Sequence, residues 1–279
     1  MRSLGLNITP VVLNLIILNA IFFFGAWIID SKFGSTIQAH LCLYQVSSDQ
    51  FNPYQLITYA FLHANFQHLL FNMLGLWSFG TMLETVWGGK RFLIFYMFCV
   101  LGGAVMHNAI QYIKIHKIEN AIQKFEQDPN AFTYRQVLYE NFQEYTLIPE
   151  NQLAFDEFTE AWEKDTLRDN QRFYVQRAKN DFDQLRTFKA SSPMLGASGA
   201  VFGILLGVGL ILPNAQLSML FLPIRIKAKY FVIVFGALEF YYGTHKVPGD
   251  NVAHFGHIGG MIFGMILILI WYKNTIFKR

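Results

Sequence analysis

Charge is scarce in this 279-residue chain: Asp, Glu, Lys and Arg make up 15% of it, against about a quarter in water-soluble domains. That deficit excludes a disordered chain and an ordinary soluble enzyme. The net charge is only +3 and no long Lys/Arg block occurs, so nucleic acid is not an expected partner. Cysteine is scarcer still. Cys42 and Cys99 are the only two, too few for a disulfide scaffold or a cysteine-ligated zinc module. Cys99 lies in an apolar run, which argues against a bridge between them. A Walker loop is missing, as is a glycine-rich turn after a strand, so no nucleotide cofactor is expected. Apolar residues are what the chain has in quantity: 53% are hydrophobic, and 28 are phenylalanine.

The charge that exists is unevenly placed. Residues 113–192 hold 11 Lys/Arg and 14 Asp/Glu; the remainder holds 11 and 5. A charge-poor body therefore carries a charge-rich insert, giving three segments: 1–112, 113–192 and 193–279. A helix crossing a bilayer needs about 20 mostly apolar residues. Six stretches of the body qualify: Pro10–Ile29, Leu56–Leu76, Phe92–Tyr112, Leu195–Leu212, Tyr230–Tyr242 and Val252–Trp271. The fifth is short and contains Glu239. The first has one basic residue ahead of it and no small-residue cleavage site behind it, so it reads as a retained span. With the N-terminus inside, Arg2, Lys90, Arg91, Arg225, Lys227, Lys229, Lys273, Lys278 and Arg279 fall on the cytoplasmic side. Only Lys32 and Lys246 fall in short outer loops, and this bias sets the orientation. Both termini are then cytoplasmic and the insert is extracytoplasmic. The expected location is a bacterial inner membrane. Helical patterning at Asp156–Lys164 and Arg172–Phe188, with recurrent aromatics, marks the insert as a small helical subdomain. We read it as a solvated connector in preference to a dedicated substrate-binding cap.

Reactive or ionisable groups inside spans are costly and point to function. Ser198 opens the fourth span within Gly196-Ala197-Ser198-Gly199. Gly199, Gly203 and Gly207 form a stripe that admits a close helix neighbour. Span six offers a matching stripe, Gly256, Gly260 and Gly264, and carries His254 and His257. The two spans run in the same direction, so packing the stripes would bring Ser198 and His257 to similar depth. A neutral imidazole within hydrogen-bond reach of a hydroxyl acts as its general base. On span two, His68 and Asn72 share a helical face, and both supply donors of the kind an oxyanion hole requires. Taken singly, each group has a structural explanation; together they favour catalysis. His63, His68, His254 and His257 also raise a zinc site. However, no H-E-x-x-H occurs and no acid lies beside any pair in sequence, so no metal is expected.

In order along the chain, these residues resemble the rhomboid family of intramembrane serine proteases. His63-Ala-Asn-Phe-Gln-His68-Leu-Leu-Phe-Asn72 resembles the family's second span. Glu84-Thr-Val-Trp-Gly88-Gly-Lys-Arg91-Phe92 resembles its link to the third. Gly196-Ala-Ser198-Gly199 matches the nucleophile motif, and His257-Ile-Gly-Gly260-Met-Ile-Phe-Gly264 the motif of the last span. The resemblance covers roughly 10–112 and 193–272. It implies an all-α, six-transmembrane-helix bundle, here with a small extracytoplasmic helical insert. It further implies a Ser198–His257 dyad without a third acidic member, and an oxyanion held by His68, Asn72 and the Ser198 backbone N–H. The implied reaction is hydrolysis of a peptide bond in or near a substrate's transmembrane helix, through an acyl-enzyme, with the lipid bilayer as setting. His257 is preferred to His254 as base because only His257 has glycines three and seven residues on. A proteolytically inactive relative that binds and escorts membrane proteins is the alternative. A transporter or channel is the third reading, but Glu239 is the only acid inside the spans. Two departures stand out: Tyr54 and Gln55 occupy the place of a frequent Trp-Arg pair, and the insert is unusually long. The first is expected to alter lipid contact or substrate entry, the second to restrict or guide access.

Overall fold

The computed structural model describes residues 8–34, 37–219, 222–245, 250 and 252–276. Arg2, Lys246, Lys278 and Arg279, which entered the orientation argument, lie outside the described residues. The chain divides into two compact units. One comprises 1–108, 193–243 and 253–279, and the other 109–192 and 244–252.

The first unit is a bundle of apolar helices, Pro10–Phe33, Phe66–Trp87, Gly89–Gln127 (through Asn108), Ser198–Ile211, Ala228–Thr244 and His254–Ile276. Four of these have the length and apolar composition to cross a membrane: the first three and the last. Outward-facing Trp27, Ile233 and Ile270 are more than 60% exposed, a surface that suits lipid rather than water. The protein is an integral membrane protein. The Ser198–Ile211 helix has 14 residues and rises only about 21 Å, less than the ~30 Å hydrocarbon core. An antiparallel hairpin, Gln216–Met219 with Leu222–Lys227, pairs Gln216 with Lys227 and Leu217 with Ile226.

The second long helix starts later than hydropathy indicates. Residues 56–65 do not join it. Gln55–Thr58 and Tyr59–Phe61 form two short helical turns, and the helix begins at Phe66. Asn65 explains the boundary: its side chain accepts the His68 backbone N–H at 2.8 Å, a side-chain cap that starts a new helix. A π-helical turn at Leu76–Gly80 interrupts this helix, where Gly80 lies against Val12 and Phe92. Glu84, 5% exposed, caps the first helix across the bundle. Its Oε1 accepts the Val11 N–H at 3.0 Å, and its Oε2 accepts the Val12 N–H at 2.9 Å and the Thr9 hydroxyl at 2.5 Å. The carboxylate thereby satisfies orphan donors at the positive end of the helix.

The second unit has a core of its own. Phe125, Tyr134, Leu138, Phe142, Trp162 and Phe182 are buried in it. Trp162 and Tyr174 stack with ring centroids 5.7 Å apart. Asn130 and Thr133 form a reciprocal cap at the start of the Ala131–Asn141 helix. Tyr134 donates its hydroxyl to Asp181 Oδ2 at 2.9 Å. Burial, with the Asp181 carboxylate second, pushes the Tyr134 phenol above its ordinary range. The aromatics that alternate with charge in sequence converge on one interior, as expected of a small helical subdomain.

Candidate active site

Ser198 is the first residue of its helix, where backbone N–H groups lack intrahelical partners. The loop ahead of it is held by backbone bonds. Leu43 and Met194 exchange two at 2.9 Å, and the Gly196 N–H donates to the Tyr59 carbonyl at 2.9 Å. Gly196 has φ +125°, the left-handed side that disfavours other residues. A Cβ there would also lie 2.8 Å from His68 Cε1 and 2.9 Å from His68 Nε2, and 3.6 Å from Ser198 Oγ. The glycine thus lets the His68 ring close on the serine's loop.

Ser198 Oγ lies 2.7 Å from His257 Nε2. The His257 ring stacks on Phe202, centroids 4.4 Å apart and planes 9° apart. Close backbone approach makes this meeting possible. A Cβ on Gly260 would collide with the Gly199 carbonyl oxygen, and one on Gly203 would lie 2.8 Å from the Gly260 carbonyl oxygen. The expected stripes meet over only part of their length, since Gly207 packs against Leu83 and Phe95 instead. The Gly89–Gln127 helix joins them: Gly103 faces the Gly256 carbonyl oxygen, and Gly259 abuts that of Gly102. The sequence reading missed this third participant, although the Gly102-Gly103 pair within an apolar run was its signal.

His68 lies in the first turn of its helix. Its Nδ1 accepts the Ala64 N–H at 3.4 Å, which leaves the proton of a neutral ring on Nε2, the ring nitrogen beside Gly196. Asn72, 6% exposed, follows one turn later and donates through Nδ2 to the His68 carbonyl at 2.9 Å. An amide nitrogen has two hydrogens, so one remains for another acceptor. His63 is fully buried, its ring 5.0 Å from that of His68. Gln55 is also fully buried. It accepts the Tyr44 N–H at 3.4 Å and donates to the carbonyls of His40 and Gln50 at 3.0 and 2.9 Å. It braces a loop rather than meeting lipid, while its neighbour Tyr54 is exposed.

The largest departure from expectation is Glu239. Its Oε2 lies 2.7 Å from both His254 Nδ1 and His257 Nδ1. Sequence proximity set no acid beside the histidine pair, and the implied dyad had no third member. The Ala228–Thr244 helix supplies one across the bundle. The three side chains are each about 10% exposed and form the one cluster of metal-ligand type among the described residues. An acid within an apolar span was itself the available signal.

A helical membrane bundle that seats a serine hydroxyl against an imidazole, beside a second imidazole and an amide, has the parts for acyl transfer. A family model described as the Rhomboid domain matches residues 50–114 and 179–274, and the chain belongs to the rhomboid family. It is 34% identical over 106 residues to RHOMBOID-like protein 12, mitochondrial, of Arabidopsis thaliana, covering 37% of this chain and 30% of that protein. It is 40% identical over 52 residues to Rhomboid protease GluP of Bacillus subtilis (strain 168), 19% of this chain and 10% of the relative. It is 48% identical over 46 residues to Rhomboid protein 1, mitochondrial, of Saccharomyces cerevisiae, 16% and 13%. The chain thus matches less than a third of the length of each of these relatives.

Proposed function

We propose that this rhomboid-family protein is an intramembrane serine endopeptidase acting on transmembrane proteins, with Ser198 as nucleophile and His257 as general base. The observation that carries the reading is the 2.7 Å approach of Ser198 Oγ to His257 Nε2. The Bacillus relative, named a protease, points the same way. In the first step Oγ attacks the scissile carbonyl carbon while its proton passes to Nε2. The oxyanion is held by the His68 Nε2–H, the second Asn72 amide hydrogen and the Ser198 backbone N–H. The proton then goes to the leaving amine as the C–N bond breaks and an acyl-enzyme remains. Water, deprotonated by the same imidazole, then attacks the acyl carbon; the ester bond to Oγ breaks and the proton returns from the imidazolium to Ser198 Oγ. Water must reach this site, and the place of Ser198 at the outer start of its helix shortens the path it has to travel. The scissile segment must unwind, because a helix keeps its carbonyls bonded.

This reading carries six spans, both termini cytoplasmic, an extracytoplasmic insert at 113–192 and a membrane body formed by 1–112 and 193–279. To test it, the purified protein is reconstituted in vesicles with a transmembrane substrate. Ser198→Ala and His257→Ala reduce cleavage by about 10⁴-fold or more, and His254→Ala retains it. Cleavage that survives Ser198→Ala refutes the serine-protease reading.

A further inference from the structure

The two histidines and Glu239 contain a proton inventory that decides how His257 works. An ionised carboxylate only accepts hydrogen bonds. One oxygen of Glu239 lies 2.7 Å from the Nδ1 of both His254 and His257. Both Nδ1 atoms therefore carry hydrogen. In a neutral His257 that leaves Nε2 bare, and Nε2 is the atom 2.7 Å from Ser198 Oγ. The opposite tautomer would present an N–H to the hydroxyl and have no lone pair with which to take its proton.

We infer that Glu239 is a positioning residue that fixes His257 in its base-competent tautomer and offsets the charge of the imidazolium formed when Ser198 attacks. The inference rests on Ser198 and His257 having the roles proposed above. Three constraints act on the ring: Glu239 holds Nδ1, Ser198 meets Nε2, and Phe202 covers one face at 4.4 Å. Each comes from a position that His257's own helix does not supply. The carboxylate and the two rings are nearly excluded from solvent, where a charge acts more strongly than in water. A metal ion fits the same atoms poorly. Ligands bound at about 2 Å around an ion stand more than about 3 Å apart, whereas both Nδ1–Oε2 separations are 2.7 Å, the length of charge-assisted hydrogen bonds.

The test is steady-state cleavage of a reconstituted transmembrane substrate by wild type, Glu239→Gln, Glu239→Asp, Glu239→Ala and Ser198→Ala. The rate of Ser198 labelling by a fluorophosphonate is measured in parallel. Glu239→Gln and Glu239→Ala are expected to lower kcat about a hundredfold or more, with KM changed less than about threefold. Labelling should slow in step, and Glu239→Asp, which keeps the charge, should recover most of the rate. A kcat within twofold of wild type in both Gln and Ala variants overturns the inference while leaving the dyad intact. So does a raised KM at unchanged kcat, which marks Glu239 as a tether for its helix. Loss of wild-type activity on adding EDTA also overturns it, by making the cluster a metal site. Cleavage by Ser198→Ala removes the inference together with the reading it rests on.

Discussion

The two compact units of this chain are stabilised by opposite means. In the membrane body, helices meet through glycines: Gly199, Gly203, Gly256, Gly259 and Gly260 bring backbone against backbone. In the insert, Phe125, Tyr134, Trp162 and Phe182 fill an interior with rings. A helix bundle in lipid gains little from burying apolar surface, because lipid is as apolar as leucine, and so relies on close packing and hydrogen bonds. A unit rich in charge faces water, and the hydrophobic effect drives its core. The same close approach seats an imidazole from the last helix against the Ser198 hydroxyl and lets the His68 ring close on the serine's loop.

The comparison can be broken at three points. The largest stability effect is expected in the insert, where Trp162→Ala removes a fully packed ring at a cost of about 3–5 kcal/mol. Protease should then cut within 109–192, while the rate of Ser198 labelling stays at the wild-type value. A matching loss of labelling would show that the units are not separately stabilised. In the body, Gly260→Ala pushes a methyl group at the Gly199 carbonyl oxygen and is expected to cost about 1–3 kcal/mol. It should lower the melting temperature in detergent and slow labelling, since the displaced helix carries His257. A variant as stable and active as wild type would refute the close-packing account. The smallest effect is expected at Tyr134. Its folded-state value lies above the ordinary 10.0, so the native insert holds a proton that the unfolded chain releases. Stability is then constant below about pH 10 and falls as pH rises above it. Tyr134→Phe should blunt that alkaline fall and cost about 1 kcal/mol at neutral pH. Denaturation of the two proteins at pH 8 and pH 11 measures both.

Much of the body was legible in the sequence because its signals are local. Apolar runs of near-membrane length mark helices, and glycines four apart mark a contact face. Ser198 and His257 follow from placing those faces together. What escaped was whatever depends on a partner distant in sequence. Glu239 is 18 residues from His257, on a helix too short to read clearly, and only the packing of that helix makes it a neighbour. Gln55 reads as a surface substitution, yet its amide ties together His40, Tyr44 and Gln50. The start of the second long helix was misjudged by about ten residues. Hydropathy is continuous across it, and the Asn65 cap is a single hydrogen bond. The insert was legible as a helical subdomain with recurrent rings, but those rings lie on several helices, so which of them share one interior was not.

The central claim is that Ser198 is activated by His257 in the folded membrane protein. The most direct measurement is mass-spectrometric mapping of fluorophosphonate adducts on wild type and on His257→Ala in the same vesicles. The account predicts a single adduct on Ser198 in wild type and labelling slowed by at least about a hundredfold in His257→Ala. Equal labelling of Ser198 in the two proteins, or an adduct elsewhere with Ser198 unmodified, would contradict it.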